Sequence, residues 1–332
     1  MSATSSEVVT MLAVVLGALV VPWLAMRMIV PTLERSASLG VRNYRGRMVA
    51  SGLGLVWVVW CVGMLGVGRL LDVLDSALPA GGMLPYSVLP GTVPFVLVLG
   101  AFAFGFADDV YGSTDEKGFR GHLRALLHGR MSTGSLKLLG IGLLAAVTAR
   151  SNVSPGAAGW KIALSWTLEF LAIALTANLV NLLDLRPGRA LKFYSAVAAV
   201  CALSFAFWGQ WVFALEVAVA LLGPVLAVWR FDLGERGMLG DAGANAMGVL
   251  LGWVVASILA PAALGVYVIA VLALNVVSER ISFSRVIERN RVLSWLDRLG
   301  RLRADLEVAP STNPVARESS PKTSHHSETD DG

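Results

Sequence analysis

Long apolar runs alternate with short polar stretches along the whole chain. The runs lie near 8–30, 48–71, 92–107, 135–150, 161–183, 190–208, 210–229, 242–260 and 262–278. Crossing a bilayer takes ~20 helical residues, so each run predicts a transmembrane helix, the third and fourth being short. The predicted fold class is all-α, a polytopic integral membrane helical bundle of about nine transmembrane helices. The first run lacks a basic n-region and a small-residue cleavage site, so it reads as a retained span rather than a signal peptide. Cys61 and Cys201 fall within runs and read as small apolar packing residues, implying neither a disulfide framework nor a metal site.

The positions of Lys and Arg predict the orientation. Arg35, Arg42, Arg45 and Arg47 follow the first run, and Arg120, Arg124 and Arg130 the third. Arg186, Arg189 and Lys192 follow the fifth, Arg230 and Arg236 the seventh, and an arginine-rich stretch the ninth. The opposite loops hold only Arg69, Arg150 and Lys161. The N-terminus is therefore expected outside and the C-terminus in the cytoplasm of a cell (inner or plasma) membrane, which an odd number of spans satisfies. Composition agrees: 55% of residues are hydrophobic, 15% are charged, and mean hydropathy is +0.67. The net charge of +4 follows from the basic loops and from contact with membrane lipids, and needs no nucleic acid.

Against this background the acids are the informative residues. Asp108 and Asp109 end the third run in GFADDVYG, Asp184 ends the fifth in NLVNLLDLRPGR, and Asp241 opens the eighth in GMLGDAGANAMG. All are predicted on the cytoplasmic side. Acids at a helix C-terminus oppose the macrodipole, so the first three need a nearby cation, whether a basic side chain or Mg²⁺; a solvated charged pair is the bland alternative for Asp108 and Asp109. Asn178 and Asn181 precede Asp184 at three-residue spacing and share a broad face with it. Amides in a lipid-embedded helix need partners, and bonding to a neighbouring helix explains them as well as a polar pocket does. Asp241, between Gly240 and Gly243, reads as a helix N-cap or as a metal ligand, with Asn245 one turn further on.

The loop after the third run carries Lys117, Arg120 and His122, and Lys137 enters the fourth. These cations suit a diphosphate; the positive-inside bias covers all but Lys137. The glycines of SGLG at 51–54 read as helix packing. Residues 1–280 form the transmembrane domain of catalytic type. Residues 281–303 form a basic amphipathic cytoplasmic helix, lying on the inner leaflet or packed on the domain, and 304–332 a disordered cytoplasmic tail. His325 and His326 in that tail read as a chance pair.

GFADDVYG, then N-x-x-N-x-x-D in NLVNLLD, then GDAG before a span together resemble the polyprenyl-phosphate N-acetylhexosamine-1-phosphate transferases. That integral-membrane family includes phospho-N-acetylmuramoyl-pentapeptide transferase, and the resemblance covers about residues 40–290. It implies transfer of a sugar-1-phosphate from a UDP-amino sugar to polyprenyl phosphate (undecaprenyl or decaprenyl), with release of UMP. The implied cofactor is Mg²⁺, with Mn²⁺ as a substitute, and the implied setting is cell-wall or surface glycan synthesis. Carried over to this sequence, Asp241 is the implied metal ligand, and Asp108, Asp109 and Asp184 the implied catalytic residues. Asn178, Asn181, Lys117, Arg120, His122, Lys137 and Asn245 are the implied substrate-binding residues. A homodimer is compatible with this reading.

The chain departs from the family pattern in four places: Gly243 and Ala244 follow Asp241 where the family has glycine and serine, a final tenth span is not expected, and two motifs differ. Leu185-Arg186-Pro187-Gly188 replaces the usual continuation with a second acid, and SERISFSRVIERN stands where the family has a histidine-rich motif. These departures keep open a non-catalytic relative that binds lipid-linked precursors or a partner protein. A transporter, which would need ionisable groups deep in the bilayer and repeat symmetry, is the third reading; Glu169 and Glu216 are the deep acids, and no repeat is visible.

Overall fold

A computed structural model of the chain describes residues 5–36, 39–77, 91–112, 132–150 and 156–301. Helices α1 (Ser5–Val14) and α2 (Val21–Arg35) are joined through a π-helical turn at Val15–Val20 and run together as one span. A hairpin of β1 (Gly40–Arg42) and β2 (Met48–Ser51) follows, then α3 (Leu55–Ala77), α4 (Val93–Tyr111), α5 (Thr133–Thr148), α6 (Gly159–Leu183), α7 (Arg189–Phe207) and α8 (Trp211–Leu233). The short strand β3 (Gly237–Met238) leads into α9 (Gly240–Ile258) and α10 (Pro261–Ser278), and two short helices close the described chain: α11 (Phe283–Arg289) and α12 (Arg291–Arg298). Among the described residues, eight helices are long and apolar enough to cross a membrane, and α5 is a shorter apolar ninth. The polytopic all-α bundle expected from the hydrophobic pattern is thus the observed architecture.

Helix α9 is the centre of the bundle: 83% of its apolar window is buried, against 22% for α10 at the periphery. Its burial is possible because it is built from small residues. Gly54 at the entry to α3 and Gly243 of α9 pack backbone to backbone, and a Cβ on Gly54 would sit 2.5 Å from the Gly243 nitrogen. Gly248 and Gly252 meet Ala177 and Ala172 of α6 in the same way. Small residues let helices approach closely enough for dispersion to hold them without a hydrophobic driving force.

Several boundaries differ from the sequence pattern, two of them through local structure the pattern does not report. The second span starts at Leu55 rather than 48, because Met48–Ser51 is strand: it pairs antiparallel with β1 and parallel with β3, in register Ala50↔Gly237. The hairpin turn is closed by Asn43, whose Oδ1 accepts the N–H groups of Arg45 (2.9 Å) and Arg47 (3.0 Å). The stretch after the ninth span is two helices rather than one across 281–303. Asn290 divides them, its Oδ1 accepting the N–H groups of Val292 and Leu293 at 3.0 Å as an N-cap. The expected tail at 304–332, with His325 and His326, lies outside the described residues.

Candidate functional site

Successive spans run back and forth, so the C-terminal ends of α4, α6 and α8 meet the N-terminal ends of α5, α7 and α9 at one end of the bundle. The acids gather there. Asp108 and Asp109 occupy the last turn of α4, where the helix dipole disfavours them. Asp109 escapes that conflict by turning to another helix. Its Oδ1 and Oδ2 accept the N–H groups of Asp241 (2.8 Å) and Ala242 (3.0 Å), the unpaired donors at the start of α9. Gly240 makes the approach possible: its φ is +68°, and a Cβ there would lie 2.7 Å from Asp109 Oδ2. Asp241 is therefore a first-turn residue of α9 capped by Asp109, with its own side chain free to point elsewhere.

That side chain points at Lys137. The Lys137 ammonium sits 2.6 Å from Asp108 Oδ2 and also bonds Asp241 Oδ2, so one cation bridges acids from two helices. The three side chains are 12%, 14% and 30% exposed, which removes most of the solvent screening. Lys137 is held in place by the start of α5, where Ser132 Oγ accepts the Ser135 N–H at 3.1 Å.

Asp184 terminates α6 beside this group. Burial pushes its carboxyl well above the usual range, and the charges of Asp232, Asp241 and Asp109 raise it further, while the Gly240 N–H works the other way. Asp232, buried at the end of α8, accepts the Gly188 N–H at 2.5 Å and so ties the turn after Asp184 to α8. Beside Asp184 and Asp232 a small crevice is lined by Asn43, Tyr44, Arg186 and Glu235. Glu235 organises that side, receiving Asn43 Nδ2 (3.0 Å) and pairing with Arg45 Nε (3.1 Å).

A cavity of about 320 Å³ opens between α5, α6, α9 and α10, with Lys137 in its lining. Its walls are mainly apolar, with Ile141, Phe170, Leu175, Leu272 and Val276 among them; Asn178, Asn245, Asn275 and Glu279 add the polar groups. Asn178 Nδ2 donates to Asn275 Oδ1 at 2.6 Å, joining α6 to α10, and Asn275 Nδ2 donates to the Leu175 carbonyl at 3.1 Å. Asn245 Nδ2 donates to the Asp241 carbonyl at 2.7 Å.

The family model described as Glycosyl transferase family 4 matches residues 92–259, more than half of the chain, and spans α4 to α9. The chain belongs to glycosyl transferase family 4. This is the family of the polyprenyl-phosphate hexosamine-1-phosphate transferases, so the chain is a multi-pass membrane transferase that moves a glycosyl-1-phosphate from a nucleotide sugar to polyprenyl phosphate. Among curated proteins none matches it.

Of the family-type residues read from the sequence, Asp108, Asp109, Lys137, Asp184, Asp241 and Asn245 come together at this end of the bundle. Asn178 lines the cavity while bonded to α10, which is the neighbouring-helix reading of that amide. Asn181 is half-buried one turn before Asp184. Lys117, Arg120 and His122 lie outside the described residues. Two residues of this candidate site, Asn275 and Asp232, escaped the sequence reading. Asn275 sits in an apolar run without a motif, whereas Asp232 ends a span on the same side as the other acids and follows the same rule. Among the described residues no three His, Cys, Asp or Glu side chains are arranged to hold a metal ion.

Proposed function

We propose that this enzyme transfers a sugar-1-phosphate from a UDP-amino sugar to a polyprenyl phosphate at the inner leaflet, releasing UMP, in service of cell-wall or surface glycan assembly. One observation carries the reading: a mainly apolar cavity bordered by the peripheral α10 has in its lining Lys137, which bridges Asp108 and Asp241. An isoprenoid chain suits the apolar walls, and its phosphate would arrive beside the ammonium. The nucleotide would lie over the crevice at Asn43, Tyr44, Asp184 and Arg186, with Arg186 exchanging its Glu288 partner for a forked contact to phosphate. The basic loops on this side of the bundle favour a cytoplasmic site.

In this reading an oxygen of the lipid phosphate attacks the β-phosphorus of the donor. The new P–O bond forms as the bond from the β-phosphorus to the bridging oxygen breaks, and UMP departs with that electron pair. A phosphate monoester has a second pKa of ~6 and is largely ionised at neutral pH, so the acids need not remove a proton. Lys137 and the loop arginines offset charge on the phosphates.

The donor set also suits Mg²⁺, although no three-carboxylate cage is present among the described residues. That ion usually takes one or two carboxylates together with substrate phosphate and water. Asp241 and Asp184 would hold it, and Asp184 feels three neighbouring acids that favour an added cation. Bound there, the ion supplies charge neutralisation on the diphosphate.

The test is UMP release from purified protein given undecaprenyl phosphate and a panel of UDP-amino sugars with Mg²⁺. Release with one donor and not with the corresponding UDP-hexoses supports the assignment. Silence with every donor would overturn it and favour a lipid-binding relative without activity.

A further inference from the structure

Arg189 begins α7, and a cation at a helix N-terminus opposes the dipole. It is also buried, so an unpaired guanidinium there would carry a large desolvation cost. Asp297 of α12 resolves both conflicts with a forked pair: Arg189 Nε to Oδ1 at 2.9 Å and Nη2 to Oδ2 at 3.1 Å. Ser284 Oγ of α11 accepts the remaining Arg189 arm at 2.9 Å.

Arg301 doubles the link. Its Nη2 donates to Asp297 Oδ1 and its Nε to the Pro187 carbonyl, both at 2.9 Å. Lys192 closes the arrangement from α7 by donating to the carbonyls of Leu296 (3.0 Å) and Asp297 (2.7 Å). Both carbonyls belong to the last turn of α12, where helix carbonyls run short of partners; that of Leu296 also accepts the Leu299 N–H at 3.3 Å. Helix α12 therefore docks by its polar edge, while Val292 and Trp295 on its other side stay exposed.

What α12 grips is the turn Leu185–Arg189, directly after Asp184. The turn is held at two adjacent residues, by Asp232 at Gly188 N–H and by Arg301 at Pro187 O. We infer that Asp297 is a positioning residue for the Asp184 turn, acting through Arg189 and Arg301. Both Asp297 and Arg301 lie beyond the family match, which ends at residue 259. The kinetic part of this inference rests on the transferase reading; the mechanical part does not.

The test uses the full chain in nanodiscs, with Asp297→Asn, Asp297→Glu and Arg301→Gln. Hydrogen exchange is followed for peptides covering 184–192, and UMP release is measured with UDP-N-acetylglucosamine and undecaprenyl phosphate. Asp297→Asn is expected to speed exchange at 184–192 at least tenfold. It should lower kcat at least tenfold while KM for undecaprenyl phosphate stays within twofold, and Asp297→Glu should recover much of both. If Asp297→Asn does not fold, Arg301→Gln carries the same expectation, since it frees Pro187 and leaves the Arg189 fork intact. Unchanged exchange, or faster exchange with intact kcat, overturns the inference. If the wild type releases no UMP with any donor, the transferase reading fails and the exchange result alone decides the clamp.

Discussion

Asp109 of α4 caps the helix that carries Asp241, accepting the Asp241 N–H at 2.8 Å and the Ala242 N–H at 3.0 Å. A carboxylate misplaced at one helix end becomes favourable at another, because α9 presents free N–H groups and the positive end of its dipole. The pair of acids in GFADDVYG thus divides its work: Asp108 faces Lys137, and Asp109 sets the direction in which α9 leaves the site.

Asp109→Ala removes the cap, and we expect a loss of about 1 kcal/mol of stability, the usual cost of losing a good N-cap. Activity should fall further than stability does, since the change lets Asp241 shift. Thermal unfolding in detergent beside initial rates of UMP release checks both. A variant with wild-type rates would show that the cap has no part in placing Asp241.

Lys137 bridges Asp108 and Asp241, and all three side chains are largely shielded from water. Removing one member of a shielded pair strands the other charge. Lys137→Ala is expected to cost about 3 kcal/mol, the low end for such a break, because Asp241 keeps 30% exposure. Adding Asp108→Asn should return at least a third of that loss by removing one stranded charge. Equilibrium unfolding of both singles and the double measures the coupling; strictly additive losses would mean that the bridge does not form.

The eight membrane-length helices among the described residues, and the shorter apolar α5, were legible because an apolar run of ~20 residues is a one-dimensional signal. The misplaced start of α3 shows its limit. MVAS is as apolar as the helix that follows, and only pairing with the distant Gly237–Met238 makes it a strand. The gathering of Asp108, Asp109, Asp184 and Asp241 was legible from parity, since alternate span ends share a side. Their partners were not. Lys137 stood out only as a cation entering a span, and nothing in ADDVYG says which acid turns to Lys137 and which to α9. Asp232 obeys the parity rule, but it was hidden by ending the seventh run at 229 when α8 continues to Leu233. Asp297 sits in an arginine-rich amphipathic stretch, where periodicity reports two faces without telling which one docks. Here it is the polar one.

Asp241→Asn keeps the size of the side chain and the backbone N–H groups that Asp109 caps, so the fold should persist. It halves the acid pair assigned to Mg²⁺. We expect UMP release to fall at least a hundredfold. Mg²⁺ binding to the native state raises the unfolding midpoint as the ion concentration exceeds its dissociation constant, and that rise should be present in wild type and absent in the variant. Equal Mg²⁺-induced shifts in both proteins would remove Asp241 from the metal assignment without touching its pairing with Lys137.

Asp297 gives the C-terminal clamp a defined pH dependence. Burial alone would raise its carboxyl; the Arg189 hydrogen bonds and the charges of Arg189, Arg301 and Lys192 outweigh burial and hold it below the usual carboxylate range. An acid whose folded value is depressed binds fewer protons when folded than when released. Its contribution is therefore complete above the unfolded value of ~3.9 and is lost as pH falls through the lower, folded one. Below that window α12 should detach from Arg189 and Pro187 while the spans remain, because they are held mainly by apolar packing. Pepsin, which works at these pH values, is a suitable probe for cleavage near Trp295 and Leu296. Wild type should resist at pH 4.5 and become sensitive as pH drops below ~3.9, whereas Asp297→Asn should be cut readily at both. Parallel profiles for the two proteins would mean that the Arg189–Asp297 fork does not hold the helix.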